Sequence, residues 1–494
     1  MASPPETKRD PEPDARSDAR RATTIDARID ALSKALLVAL AIIAVLTFDD
    51  FGLTWDEGYH IRYGDHLLDY YTSGFEDRTA LTYRLDYLYG GGFDLLGAIF
   101  RAVARPMDNY TALHLFGSLI GVLGIAGAWR LGRAIGGARV GLYALVMLAL
   151  THVYYGHMFN NPKDLPFAVG YVWGLYFVCE AIRAFPRLGW RLVAWLALAL
   201  GMAMSVRIAG LLLICYLVGV IGLWALRQGI ARRSFEALYR HASGLYLRAG
   251  AAIVGAWAVM LIFWPWAQQK PLTRPFVALT RMSKFLTHRR KMPFDGEWID
   301  TLDTPPDYLL HYFGYKMPEL ILALFVAGML GGLVWILARG WRLENTKRAL
   351  IYGTLGLAVL LPPAYAVYKE SVLYDGLRHF LFLIPPMVVI AALTLGASER
   401  WLRRRLPRAG GAIVGVVLAL FVADHLRIAV VYHPHHYVWF NRILGGLAEA
   451  DGVYSTDYYG ETFREALEEL ERELRRREPE RFADTTYRVS GCLG

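Results

Sequence analysis

Eleven apolar runs, each bounded by charged or turn-forming residues, constrain this chain more than any other feature of its sequence. They centre on residues 35–48, 112–129, 140–155, 166–182, 192–206, 208–226, 247–264, 318–337, 350–368, 380–395 and 411–431. Allowing for tilt and for ends that the pattern leaves open, each can cross the roughly 30 Å hydrocarbon layer as a helix. Lipid offers backbone N–H and C=O groups no partners, so a crossing segment must satisfy its own. The expected fold is therefore an all-α polytopic membrane protein with about eleven transmembrane helices. A hydrophobic fraction of 55% fits that class and argues against an ordinary soluble enzyme.

The formal charge of +9 could point to an anionic polymer such as a nucleic acid, but the cations are spread between the apolar runs. With a cytoplasmic amino terminus, the short inward loops carry Arg130, Arg133 and Arg139, then Arg183, Arg187 and Arg191, then Arg227, Arg232 and Arg233. Later inward loops carry Arg339, Arg342, Lys347 and Arg348, and finally Arg400, Arg403, Arg404, Arg405 and Arg408. The short outward loops hold one or two basic residues each, which is the positive-inside bias. The charge is a topology signal, and nucleic acid is not an expected partner.

Residues 1–33, rich in Pro, Asp and Arg, read as a disordered cytoplasmic tail. The apolar segment from Ala35 comes too late for a signal peptide and is followed by no small-residue cleavage pattern, so it should stay as the first anchor. Residues 34–431 form the transmembrane domain, with longer outward segments at 49–110, where the pattern suggests interfacial helices, and at 265–317. Residues 432–494 make an outward tail in which Leu467, Leu470 and Leu474 follow a helical stripe. Of three cysteines, Cys179 and Cys215 lie in apolar runs and Cys492 near the end. They outline neither a disulfide framework nor a zinc site.

In "LTWDEGYH", Asp56 and Glu57 stand just beyond the first span. Thr54 and Glu57 have the spacing of a helix-capping box, and the alternative is a catalytic base at the membrane surface. The same outward face receives Lys163 and Asp164 from "FNNPKDLPF", Arg207 between the fifth and sixth spans, and Arg378 and His379 at the start of the tenth. Singly, Asp164 could start a helix, the arginines could snorkel, and His379 could be a satisfied helix-end histidine. Together they bring acids and bases from four loops to one membrane surface, where charges beside hydrocarbon usually face a cavity or a partner. Such a set suits a reaction in which an acceptor hydroxyl or amine loses a proton to a carboxylate while cations neutralise a departing phosphate. The chain has no G-x-G-x-x-G after a strand and no Walker A loop, and "YGGGF" at residues 89–93 is a lone glycine run. A lipid-borne substrate entering from the bilayer fits better than a soluble nucleotide.

With "LTWDEGYH" after the first span, "NNPKDLPF" before the fourth and "YDGLRHFLFLIPP" later, the chain resembles the GT-C membrane glycosyltransferases. It is most similar to a bacterial branch, glycosyltransferase family 39-like, related to protein O-mannosyltransferases and lipid A aminoarabinose transferases. The similarity is clearest from about residue 50 to 225. The tail segments "YHPHHYVWFNRILGG" and "DYYGETFREA" look like a signature of one branch of that superfamily. The resemblance implies a bacterial inner-membrane enzyme that moves a sugar from a polyprenyl-phosphate donor to an envelope acceptor on the periplasmic face, with inversion. It places Asp56 as base or acceptor-orienting residue, Asp164 in the same cavity, and Glu57 as the adjacent acid. Topology assigns donor-phosphate binding to Lys163, Arg207, Arg378 and His379. Lipid, glycan and protein acceptors all stay open, since no large luminal domain of the mannosyltransferase kind is recognisable. No metal ligands are assigned, and a divalent metal ion stays open. Two other readings remain: a flippase for a lipid-linked glycan, and a non-catalytic subunit of a glycan-assembly complex.

Overall fold

A computed structural model describes residues 13–282, 289–340 and 342–489. The first span lies in α1 (Pro13–Thr47). A connecting segment follows with α2 (Glu57–Thr72) and α3 (Gly92–Val103), each burying one face. Next come α4 (Asn109–Gly136), α5 (Ala138–Ala149), α6 (His152–Asn160) and α7 (Asp164–Ala184). Then follow α8 (Trp190–Val206), α9 (Leu211–Arg232) and α10 (Phe235–Ile262). A second connecting segment holds α11 (Pro265–Gln268), α12 (Arg274–Met282), an antiparallel hairpin of β1 (Lys291–Phe294) and β2 (Glu297–Asp300), and α13 (Tyr308–Lys316). The last four spans include α14 (Glu319–Trp335), α15 (Thr346–Tyr368), α16 (Ile384–Arg405) and α17 (Gly410–Val431). The tail adds α18 (Leu447–Ala450), α19 (Phe463–Arg477) and α20 (Pro479–Asp484).

Among the described residues, nine helices are long and apolar enough to cross a membrane, or ten if one bent pair counts as a span. All eleven apolar runs fall on helices, but two of them are not straight full-length spans. The run at 140–155 is broken into α5 and α6, which meet at 66°. Thr151 sits at the break in an extended conformation, and its hydroxyl turns back to the Met147 carbonyl at 2.8 Å. The run at 192–206 forms α8, whose 17 residues reach only about 26 Å at 1.5 Å per residue.

The amino-terminal expectation also needs correction. Residues 13–33 belong to α1 rather than to a disordered tail, and residues 1–12 and Cys492 lie outside the described residues. Asp30 ties this stretch down, accepting from Arg133 Nε and Nη2 at 2.6 Å each.

The apolar windows of the spans at Asp164–Ala184 and Arg378–Arg405 are 78% and 83% buried, against 6% for that of Glu319–Gly340. The first two are central, and the third lies at the periphery. Small residues permit close helix approach, as membrane bundles require: Gly121 and Gly124 of α4 face Met158 and Tyr154 of α6. At the end of the bundle opposite Asp56, Glu399 accepts from Arg139 at 2.5 Å, Tyr143 at 2.8 Å and Arg403 at 2.9 Å.

Candidate active site

At the other end, segments distant in sequence converge around Asp56. This residue lies in the turn leading into α2, and its Oδ2 accepts from Arg378 Nη1 at 2.6 Å, with Lys163 Nζ 3.8 Å away. Arg378 stands in the 3-10 segment that enters α16. Its Nη2 meets Asp375 Oδ2 at 2.9 Å, and its Nη1 donates to the Tyr459 hydroxyl at 3.2 Å. The other oxygen of Asp375 pairs with Arg290, from just before β1. Asp164, the first residue of α7, pairs with Arg207 at the end of α8. Asn161 orders that corner: its Oδ1 accepts the Asp164 N–H at 2.8 Å and its Nδ2 donates to the carboxylate at 3.3 Å. The Tyr89 ring lies 4.8 Å from Lys163 Nζ and 5.9 Å from the Arg207 guanidinium. His379 meets the edge of Tyr374, whose ring also lies 5.0 Å from the Arg378 guanidinium.

The "YGGGF" run sets this geometry. A Cβ at Gly90 would come within 2.1 Å of the Ser205 carbonyl, and one at Gly92 within 2.2 Å of the Ser205 hydroxyl. Glycine is needed for the 89–92 strip to press on the end of α8, and that contact sets Tyr89 against Lys163 and Arg207.

The structure brings Asp56, Lys163, Asp164, Arg207 and Arg378 to one place, with His379 beside them. Glu57 is the exception. Its side chain is wholly buried, accepts the Thr54 N–H at 2.8 Å through Oε2 and meets His114 Nε2 at 2.7 Å through Oε1. Consecutive helical residues point about 100° apart, so Asp56 and Glu57 diverge and only Asp56 joins the cluster. The expected capping box is only half formed. Glu57 reaches back to Thr54, but the Thr54 hydroxyl lies 2.9 Å from the Asn160 carbonyl, and α2 starts with no side-chain cap.

Asp56 is the carboxylate open to a ligand: its side chain is 25% exposed, against 2% for Asp164. Burial alone would raise its pKa, but the charges of Arg378, Lys163 and His60, with the Arg378 hydrogen bond, hold it well below the usual carboxylate range. Burial would lower Lys163, but Tyr89, Asp56 and Asp164 outweigh it and keep the ammonium above its ordinary value. Asp375, Arg290, Tyr89, Tyr374, Asn161 and Tyr459 were not singled out from sequence. Tyr89, Asn161, Tyr374, Asp375 and Tyr459 lie within the segments "YGGGF", "FNNPKDLPF", "YDGLRHFLFLIPP" and "DYYGETFREA", and Arg290 lies in none of them. Among the described residues no three His, Cys, Asp or Glu side chains group as metal ligands.

The family model described as dolichyl-phosphate-mannose-protein mannosyltransferase matches residues 93–266. The crystal structure of ArnT from Cupriavidus metallidurans bound to undecaprenyl phosphate superposes with a TM-score of 0.50 at 17% identity. That match covers 82% of this chain and 70% of that one. This chain shares the fold of that protein. The archaeal oligosaccharyltransferase AglB from Archaeoglobus fulgidus, in complex with an inhibitory peptide and a dolichol-phosphate, matches this chain with a TM-score of 0.49 at 13% identity. The match covers 91% of this chain and 58% of AglB, so this chain spans little more than half the length of that relative. No curated protein matches it by sequence.

Proposed function

We propose that this protein is a glycosyltransferase that takes a sugar from a polyprenyl-phosphate donor and transfers it to an envelope acceptor on the periplasmic face of a bacterial inner membrane. The observation that carries this reading is the Asp56 cluster, where one reachable carboxylate sits beside Arg378 and Lys163, with Arg207 and Arg290 close behind. Four cations around three carboxylates suit a phosphate that gains charge as it leaves. The reaction is a single inverting displacement. The acceptor oxygen or nitrogen bonds to the anomeric carbon and gives its proton to Asp56, while the carbon–oxygen bond to phosphate breaks and polyprenyl phosphate departs with the electron pair. Arg378 and Lys163 receive that charge, and Arg207, fixed by Asp164, supports them.

Asp56 is a poor proton acceptor while both cations hold it. A donor phosphate that draws Arg378 and Lys163 toward itself removes the cause of the depressed pKa and raises the basicity of Asp56 when the acceptor is present. Asp164, paired and almost fully buried, positions Arg207. Glu57 holds the loop through Thr54 and His114. The family match to a mannosyltransferase description and the fold shared with an undecaprenyl-phosphate-bound protein support a lipid-phosphate donor. The test is transfer from a panel of polyprenyl-phosphate sugars by purified membranes. Asp56→Asn should lower the rate by about two to four orders of magnitude, and near-normal transfer by that variant would sink the assignment.

A further inference from the structure

A second cleft opens at the same end of the bundle, beside the Asp56 cluster. It is an open cleft of about 890 Å³, and its lining includes Arg78, Arg84, Arg274, Tyr87, Trp266 and Gln269. Among the described residues no carboxylate lines it. Among the described residues Arg78 is exposed and forms no ion pair. Arg274 donates to the Trp266 carbonyl at 2.7 Å and to the Gln269 side chain, neither of which carries charge. Arg84 lies 3.6 Å from the Tyr59 ring centre and has Asp86 at 3.8 Å. Three guanidiniums thus converge on a space with one rim carboxylate among them, a field that favours an anionic occupant.

The rest of the lining is aromatic and fixed. Tyr87 and Trp266 meet with ring centres 5.3 Å apart. The Trp264 indole N–H holds the Tyr87 carbonyl at 2.8 Å, and the Arg274 guanidinium covers Trp266 at 4.9 Å. Forked guanidiniums match the paired oxygens of phosphate and carboxylate, while flat rings offer apolar faces and Gln269 can hydrogen-bond hydroxyls. The volume falls within the roughly 300–1,000 Å³ of small-molecule sites, well beyond the needs of a lone phosphate.

Its position gives the cleft a role. Tyr87 in the cleft and Tyr89 in the Asp56 cluster lie on either side of Leu88 in one turn. Arg84 rests on Tyr59, three residues after Asp56. We propose that the cleft is the acceptor site and takes an acidic saccharide, its phosphate or carboxylate on Arg78, Arg84 and Arg274 and its ring against Trp266 and Tyr87. The acceptor role rests on the transferase reading above.

The test measures binding of glucose 6-phosphate, glucuronate and glucose by saturation-transfer NMR, with the full chain in phosphatidylcholine nanodiscs. Both acids should bind at least about tenfold more tightly than glucose, and Arg78→Gln, at an exposed side chain that does not threaten the fold, should remove most of that preference. Arg274→Gln should act in the same direction. Equal binding of glucose and the acids, or an unchanged preference in Arg78→Gln, would overturn the proposal. So would complete displacement of the acids in phosphatidylglycerol nanodiscs, which would make the cleft a lipid-headgroup site. Asp56→Asn should bind the acids like the parent. Acid binding together with normal transfer by Asp56→Asn would defeat the transferase reading alone, and transfer without acid binding would defeat the cleft alone.

Discussion

Replacing the two adjacent carboxylates one at a time should produce opposite losses. Glu57→Ala removes a fully buried group that accepts the Thr54 N–H at 2.8 Å and meets His114 at 2.7 Å. Deleting one member of a buried charged pair costs about 3–5 kcal/mol, because the other is left without its partner. With an unfolding entropy of about 2.1 cal/mol/K per residue, 494 residues convert this into a melting temperature lower by about 3–5 °C. Asp56→Asn keeps the shape of a side chain that is already one quarter exposed, and Arg378 retains Asp375 at 2.9 Å. Its melting temperature should therefore move by no more than about 1 °C, as for a partly exposed ion pair, while transfer collapses. The assay pairs fluorescence-detected melting in detergent with transfer from polyprenyl-phosphate sugars, normalised to folded protein. Two results would refute the reasoning: parental melting of Glu57→Ala, or loss of transfer in a Glu57→Gln protein that melts normally.

Arg378→Ala should keep donor binding within about tenfold, roughly 1.4 kcal/mol, while single-turnover transfer falls at least about a hundredfold, because the charge it meets grows only as phosphate leaves. Equal losses in binding and turnover would count against that role. Glu461 in the tail is buried, and burial lifts its pKa to about 7. A raised carboxyl pKa favours the neutral form in the folded state, so stability is greatest at low pH and declines up to about pH 7, by roughly 3 kcal/mol at 1.36 kcal/mol per unit. His435, 4.0 Å away, is raised to about 9 against burial by Glu461 and Glu465, so its contribution is complete below its usual value and fades toward pH 9. Asp56, held low, loses its contribution only in stronger acid. The melting temperature should thus fall between about pH 5 and 8, and Glu461→Gln should flatten that slope; an unchanged slope would reject Glu461 as its source. A reporter fused after Gly494 should be active only outside the cytoplasm, and cytoplasmic activity would overturn the assigned sidedness.

The spans were legible because bilayer thickness sets a length that an apolar run displays directly. The break between α5 and α6 was not, since it depends on the backbone angles of Thr151 within a run that stays apolar. Asp56, Lys163, Asp164, Arg207 and Arg378 could be placed together because alternating crossings carry loop ends to one side. The inward direction of Glu57 was not legible, because adjacency in sequence does not show which way a side chain leaves a helix start. Arg290 and Tyr459 reach the cluster only through folding of the long segments that carry them, and no local pattern marks that docking. The Leu stripe in α19 correctly marked a helix, yet Leu467 and Leu470 stay exposed at 45% and 38%, so periodicity overstated its packing.

The hydroxyl that Tyr459 presents to Arg378 gives the protein an order of assembly. The last of the described spans ends at Val431, so all the described crossings are synthesised before Tyr459. During synthesis, Arg378 can meet Asp56 and Asp375 while the tail is still unmade, and the cluster then stands open on the side that Tyr459 later closes. The described spans can thus be in place before Tyr459 completes the corner around Arg378.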